Sequence, residues 1–467
     1  MDDNVMKVLQ MLQEGKISAQ EAEMLIASMR GAAAAEPEVA PAPKAESKKK
    51  TDFKIDLDNL GDSISRSVAR LQPEKIVQRL QEQFKSASKA GAQWSSTFSS
   101  RIKTWADWGE VRPSNAGHLP EHEESHEHEF HLEEGAEISI ENPLGNVLIT
   151  PADAGSACVI VRKCGWAAKQ EDAVTAASQM EVTIHGTDVR LDIKASAPDS
   201  FKEGTVDMEL RVPRNLRSVH VRTRFGTVAV SGITAAVEVH SASGDITVAR
   251  IDGDCRCETA SGSVDVKEIS GEANLVTTSG NITTASLKKG LVAHSASGDI
   301  NVVGVENGRL EAKSVSGDVS VHDVGLAAPV EILCESISGD ANITRANGAL
   351  SLKAVSGDLC GSLLSSNSVR AQSVSGDIDL GIRQEFSGAV HVSTVSGDVK
   401  LAMPAGSSVR AALSTSQGDL KCEHDATDVT SSDTLWSGQL GNGTGTLNIQ
   451  TISGDVSITK CAAETLL

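Results

Sequence analysis

The chain has no tyrosine, seven phenylalanines and five tryptophans in 467 residues. A core built on large rings is excluded, and an interior of small side chains is expected. No stretch approaches the roughly 18 apolar residues of a membrane-spanning helix. The N-terminus, Met1-Asp-Asp-Asn-Val5, has no basic segment followed by an apolar one. The expected location is therefore a reducing cytoplasm. Positive charge is also short: 43 lysines and arginines face 63 aspartates and glutamates, for a net charge of −20. Residues 1–110 hold 16 basic and 16 acidic residues, so the whole excess falls on residues 111–467. An acidic body disfavours nucleic acid and anionic lipid as direct partners. Absent too are a phosphate-binding glycine loop, a His-Glu-x-x-His pair and a Gly-x-Ser-x-Gly elbow. No enzyme activity, catalytic residue or cofactor site is expected. The eight cysteines suggest no disulfide framework. Cys255, Cys257 and Cys334 read as small apolar fillers, and Cys-x-Cys at 255 and 257 lacks the second pair that a zinc site needs.

What the sequence has in abundance is one pattern, Ser/Thr-x-Ser-Gly-Asp-hydrophobic-x-hydrophobic. It reads Ser241-Ala-Ser-Gly-Asp-Ile-Thr-Val248, and returns from Ser295, Ser314, Ser373, Thr394 and Thr451. The marker glycines stand at 226, 244, 262, 280 and 298, in steps of 18, and then at 317, 339, 357, 376, 397 and 418. A period near 20 with alternating apolar residues predicts a β-solenoid whose rungs are two short strands around a bend. The inward set is expected at Ile246, Val248, Ile251, Cys255, Cys257, Thr259 and Ser261. Parity breaks at Ser-Gly-Asp, with Ser261 and Val264 both assigned inward. Stacked at roughly 4.8 Å per rung, about a dozen rungs give a rod on the order of 60 Å. A propeller would need a longer repeat. A hexapeptide helix would need apolar positions every six residues.

The repeated aspartates (Asp245, Asp299, Asp318, Asp340, Asp358, Asp377, Asp398 and Asp455) form the one column that could carry chemistry. They could cap corner N–H groups, hold calcium or line a carboxylate active site. Capping is favoured, because positions 263 and 281 are Ser and Asn, which a regular ion ladder would not tolerate. No metal site is therefore assigned.

Ahead of the repeats, residues 1–31 read as a helical hairpin. A first stripe, Val5, Val8, Leu9 and Leu12, is followed by a Ser18/Glu21 capping box and by Ala22, Leu25, Ile26 and Met29. Residues 32–50 are an Ala/Pro/Lys linker ending in Lys48-Lys49-Lys50. Residues 51–112 carry amphipathic helical stripes. One of them, Trp94, Phe98, Ile102 and Trp105, is open to three roles: covering the solenoid end, meeting a partner, or lying on a membrane surface. Weak basic content argues against the membrane. Residues 113–129 are expected as a His/Glu-rich linker. His118, His122, His126, His128 and His131 crowd there with seven glutamates between 118 and 134, a donor set that could hold zinc, copper or nickel if it were ordered. The β-region is expected over 130–461, with a divergent first corner at Asn142-Pro-Leu-Gly145, a short helix at 168–180 and a strand leading to Val212-Pro213. The gap from Gly418 to Gly454 reads as a terminal excursion that closes the rod, with Trp436–Leu440 as a degenerate rung.

Two stretches resemble known families. Leu9-x-x-Leu-x-Glu-Gly-Lys-Ile-Ser-x-x-Glu-Ala-x-x-Leu-Ile26 is similar to the SHOCT-like helical module. The succession from 130 to 460 (strand pair, helix, strands, Leu210-Arg-Val-Pro213, then Ser-Gly-Asp rungs) resembles the bacterial DUF4097 family, called the toast-rack or "putative adhesin" domain. The resemblance implies a β-solenoid and offers no catalytic residues. The expectation is a non-enzymatic scaffold, an acidic rod docked to a protein partner or to itself through residues 1–112, in an envelope-stress or regulatory setting. The alternatives are a surface adhesin and a polymerising cytoskeletal solenoid.

Overall fold

The computed structural model describes residues 121–152, 155–198, 201 and 203–461. The hairpin, the linker, the amphipathic helices and the Trp94–Trp105 stripe all lie outside the described residues, as do 113–120 of the His/Glu tract.

The described residues form the expected β-solenoid. Each rung has one strand before the Ser-Gly-Asp corner and one after it, and these stack into a first and a second sheet. Cys255–Ser261 and Val264–Ile269 make one rung, and Ala273–Ser279 and Ile282–Leu287 make the next. Stacking is parallel and in register, Cys257 on Leu275 on Ala293 in the first sheet and Val266 on Thr284 on Val302 in the second. The inward residues are small and fully buried, among them Ile246, Val248, Ile251, Cys257, Leu275 and Ile282. Cys255 and Cys334 are buried fillers as well.

One detail of the inward set is corrected. Ser261 and Ser279 are exposed, and the last inward residue before the corner is Thr259 or Thr277. Parity does slip at the corner, but from Thr259 to Val264. The reason is the corner itself, which turns Ser-Gly-Asp or its variants to the outside. A second slip lies between Val248 and Ile251, both buried. There Arg250 takes φ 55°, and the same place in later rungs gives Glu268, Ser286, Gly304, Asp323, Arg345 and Leu363, all at positive φ. Only one of the seven is glycine. The fold holds this left-handed column in place because without it the second strand could not bury Ile251 as well as Ile246 and Val248.

Both ends of the solenoid are interleaved. The leading strands are β1 (Glu121–His131), β2 (Ala136–Asn142), β3 (Val147–Pro151) and β4 (Ser156–Trp166). After helix α1 (Gln170–Gln179) come β5 (Glu181–Thr187), β6 (Arg190–Ser196), β7 (Gly204–Val212), β8 (Asn215–Phe225) and β9 (Val228–Ser231). The β2–β3 rung, first in sequence, lies between β8–β9 on one side and β6 and β7 on the other. β4 and β1 then extend the second sheet antiparallel, and β5 extends the first. At the far end, Gly445–Gln450 and Val456–Cys461 slot between the rung of Ala389–Ser393 and Val399–Pro404 and the rung of Val409–Ser414 and Leu420–Cys422. Leu435–Leu440 is not a rung: it runs antiparallel to Val409–Ser414 and pairs with Ala426–Ser431 as an end hairpin.

The linker expected over 113–129 is also corrected, since residues 121–129 belong to β1. Every residue of β1 pairs with β4, from Glu121 opposite Trp166 to His131 opposite Ser156. An edge strand can borrow its ladder from an apolar neighbour, so its polar composition concealed it. Among the described residues no helix is long and apolar enough to cross a membrane.

Candidate interaction surfaces

The corner motif is bonded from rung to rung at each of its positions. The glycines stand in a single file. Gly262 takes φ 156° and Gly280 φ 150°, where L-residues are strained. A Cβ on Gly280 would run into the carbonyl of Gly262, and one on Gly262 into that of Gly244. Two residues before the exposed serine, a buried hydroxyl donates to the glycine carbonyl of the neighbouring rung. Thr277 Oγ1 reaches Gly262 at 3.1 Å, Ser295 reaches Gly280 at 3.2 Å and Thr415 reaches Gly454 at 3.0 Å. After the glycine, the acid accepts the backbone N–H of its counterpart one rung on. Asp318 Oδ1 takes the N–H of Asp340 at 2.8 Å, Asp340 that of Asp358 at 2.8 Å, and Asp398 that of Asp455 at 2.8 Å. Asn281 does the same for Asp299 at 2.9 Å, so the cap survives loss of charge. The column is a ladder of backbone caps, and its carboxylates do not converge on a common point.

The histidines of β1 are spread, not gathered. His122, His126 and His128 share one side of the strand with Glu124. His122 Nε2 lies 3.4 Å and His126 Nε2 3.8 Å from different oxygens of Glu124. Among the described residues no trio of His, Cys, Asp and Glu is placed to hold a metal. A cleft of about 240 Å³ lies among the return bends, lined by Asn347, Ser365, Asn367, Gln384 and Glu385 beside buried Phe386. It is smaller than a usual small-molecule site.

The outer faces of the two sheets differ. The second sheet presents short, mostly neutral side chains along one row, Thr247, Asp265, Thr283, Asn301, Ser320 and Asn342. The first sheet presents long charged ones that pair both along a strand and across rungs. His220 Nδ1 lies 3.0 Å from Glu238. His240 joins Glu238 at 2.9 Å and Glu258 at 3.1 Å, and Arg256 Nε donates to Glu258 at 2.9 Å. Farther along, Lys313 joins Glu311 at 2.7 Å and Glu335 at 3.4 Å, while Lys353 closes on Glu335 at 2.8 Å.

Titration follows these partners. The hydrogen bond to Glu258 raises the pKa of His240 against its burial, and Glu238 adds to the rise. Burial pushes Glu258 up, but the hydrogen bonds from His240 and Arg256 prevail and bring it to about 2. His294 goes the other way, because burial outweighs the pull of Glu311. Among the rung histidines, His240 and His294 are half-buried members of the charge ladder. The sequence signal for this ladder lies in offsets of 18 residues between opposite charges, Glu238 to Arg256 and Glu335 to Lys353, but no fixed motif marks it as Ser-Gly-Asp marks the corner.

Among curated proteins none matches this chain. Of the solved structures, one described as a "putative adhesin" from Bacteroides fragilis shares 14% identity, over 72% of this chain and 97% of that one, at a TM-score of 0.17. Another so described, from Parabacteroides distasonis, shares 13% over 72% and 97%, at 0.22. A SHOCT-like domain model matches residues 3–33. The Toastrack DUF4097 model matches residues 174–323 and 284–459, together more than half of the sequence, and the chain belongs to that family.

Proposed function

We propose that the chain is a non-enzymatic interaction rod, in which the solenoid displays its faces and residues 1–112 dock it to a protein partner or to a second copy. The observation that carries this reading is the division of labour within each rung. The buried hydroxyls ahead of the corner (that of Ser241 excepted), the glycines and the aspartates are engaged with neighbouring rungs, which leaves the outer faces as the variable, presented part. The charge ladder on the first sheet gives one such face a specific pattern of both signs, and complementary patterns favour one partner over others. The SHOCT-like match at residues 3–33 supports a docking role for the N-terminal part. The envelope-stress or regulatory setting rests on family resemblance.

The test is a pull-down with residues 1–112 as bait, beside light scattering on the full chain and on a chain starting at residue 113. Capture of a defined protein, or loss of self-association on removing 1–112, is expected. If the bait captures nothing above background and both chains behave as the same monomer, the docking role is withdrawn.

A further inference from the structure

Among the described residues the two sheets end in four edge strands, and three of them carry a device against pairing with another strand. β1 alternates five glutamates and four histidines over 11 residues. At the far end the second sheet stops on three residues, Leu420–Cys422. The first sheet stops on Ala426–Ser431, where the register slips between Thr427 and Thr430 and Asp428 takes φ 52°. Charge, shortness and bulges are the usual means of blunting an edge. β5 has none of them. It keeps unbroken register with β6 over seven residues, and β6 is its sole strand partner among the described residues. Its acidic residue, Glu181, stands at one end. Alternate N–H and C=O groups of such an edge point away from the sheet. Its inward residues Val182 and Ile184 pack on the core yet stay half-exposed, so a strand laid alongside would complete their burial.

We infer that β5 is a pairing edge, and that its occupant is β5 of a second copy, antiparallel about a two-fold at Ile184. That operation sets Val182 opposite Gly186, Thr183 opposite His185 and Glu181 opposite Thr187, with no like charges facing. The same operation on β1, centred on His126, would set Glu123 against Glu129. Pairing about a two-fold is isologous and closes on itself. It joins the first sheets of two copies and does not propagate.

The test uses the full chain. Light scattering over a concentration series is combined with hydrogen–deuterium exchange. A dimer is expected, with amides of 181–187 gaining protection as concentration rises. Ile184→Pro removes an edge N–H, and Val182→Lys places a charge at the join. Each is expected to weaken the dimer at least about tenfold while circular dichroism retains the β signature. A monomer at every concentration overturns the inference. So does protection of 181–187 that is independent of concentration, which would identify a segment of the same chain as the occupant. A dimer indifferent to both substitutions overturns it too and assigns the contact to another surface such as residues 1–112, so its failure is distinct from failure of the docking role.

Discussion

The corner and the outer face of the first sheet lie a few residues apart in every rung, yet they join neighbouring rungs by opposite rules. At the corner like stacks on like: glycine on glycine, aspartate on aspartate. On the face unlike stacks on unlike, His240 on Glu258 and Lys313 on Glu335. Stacked carboxylates repel if they meet. The corner avoids this by turning each carboxylate onto the next rung's N–H, not onto the next carboxylate. A side chain can therefore repeat indefinitely when its partner is backbone, which every rung supplies. It must alternate in charge when its partner is another side chain.

Substitutions can break that distinction, and the largest effect is expected at the glycine file. Gly280→Ala puts a Cβ against the Gly262 carbonyl at a φ of 150° and should cost about 2–5 kcal/mol. Gly304→Ala is the contrast: ordinary residues hold the same place in the other rungs, at φ between 54° and 60°, and a Cβ there meets nothing closer than 3.5 Å. It should cost less than about 1–2 kcal/mol. Denaturant unfolding of both variants measures the gap, and equal losses would show that the file is not close-packed. Next comes Thr277→Val, which keeps the shape but leaves the Gly262 carbonyl without its hydroxyl donor, at about 1–2 kcal/mol in the same assay. At the acid ladder, Asp318→Ala should lose about 1 kcal/mol with the cap on Asp340. Asp318→Asn should be close to neutral, as Asn281 already demonstrates; a large loss in the Asn variant would mean that the charge itself matters.

The smallest effects are expected on the charged face, and they depend on pH. Glu258 is depressed to about 2. Its contribution is present above its unfolded pKa, near 4.5, and fades as pH falls from there toward 2. His240 is raised, so its contribution is complete below about 6.5 and is lost as pH rises through its folded pKa. His294 is lowered, so its contribution is present above about 6.5 and is lost as pH falls through its folded pKa. Melting curves between about pH 4 and 9 should therefore show His240→Gln flattening the alkaline loss and His294→Gln flattening the acid one. Both substitutions changing the profile in the same direction would contradict the assigned partners.

Much of this architecture was legible because its cause is local and repeated. The glycine period, the inward Ile246, Val248 and Ile251, and the divergent corner at Gly145 could be read directly. The Arg250 column was missed because positive φ usually announces itself with glycine, and here six of seven positions lack it. β1 was missed because an edge strand needs no apolar face of its own. The ion-pair face was half legible: its charges were visible, but which ones meet depends on rungs of 18, 19 or 22 residues coming into register.

By itself, then, the amino-acid order determined the rung, its small interior and its corner, since each arises from side chains within 20 residues of one another. The order in which rungs stack at the two ends was decided only in three dimensions. Corners built alike are interchangeable as neighbours: Gly454 rests on Gly397 and Gly418 rests on Gly454, although Gly418 precedes Gly454 in the chain. With the end hairpin occupying the outside of Val409–Ser414, the later rung takes the vacant place between two earlier ones, and nothing local in either stretch records that choice.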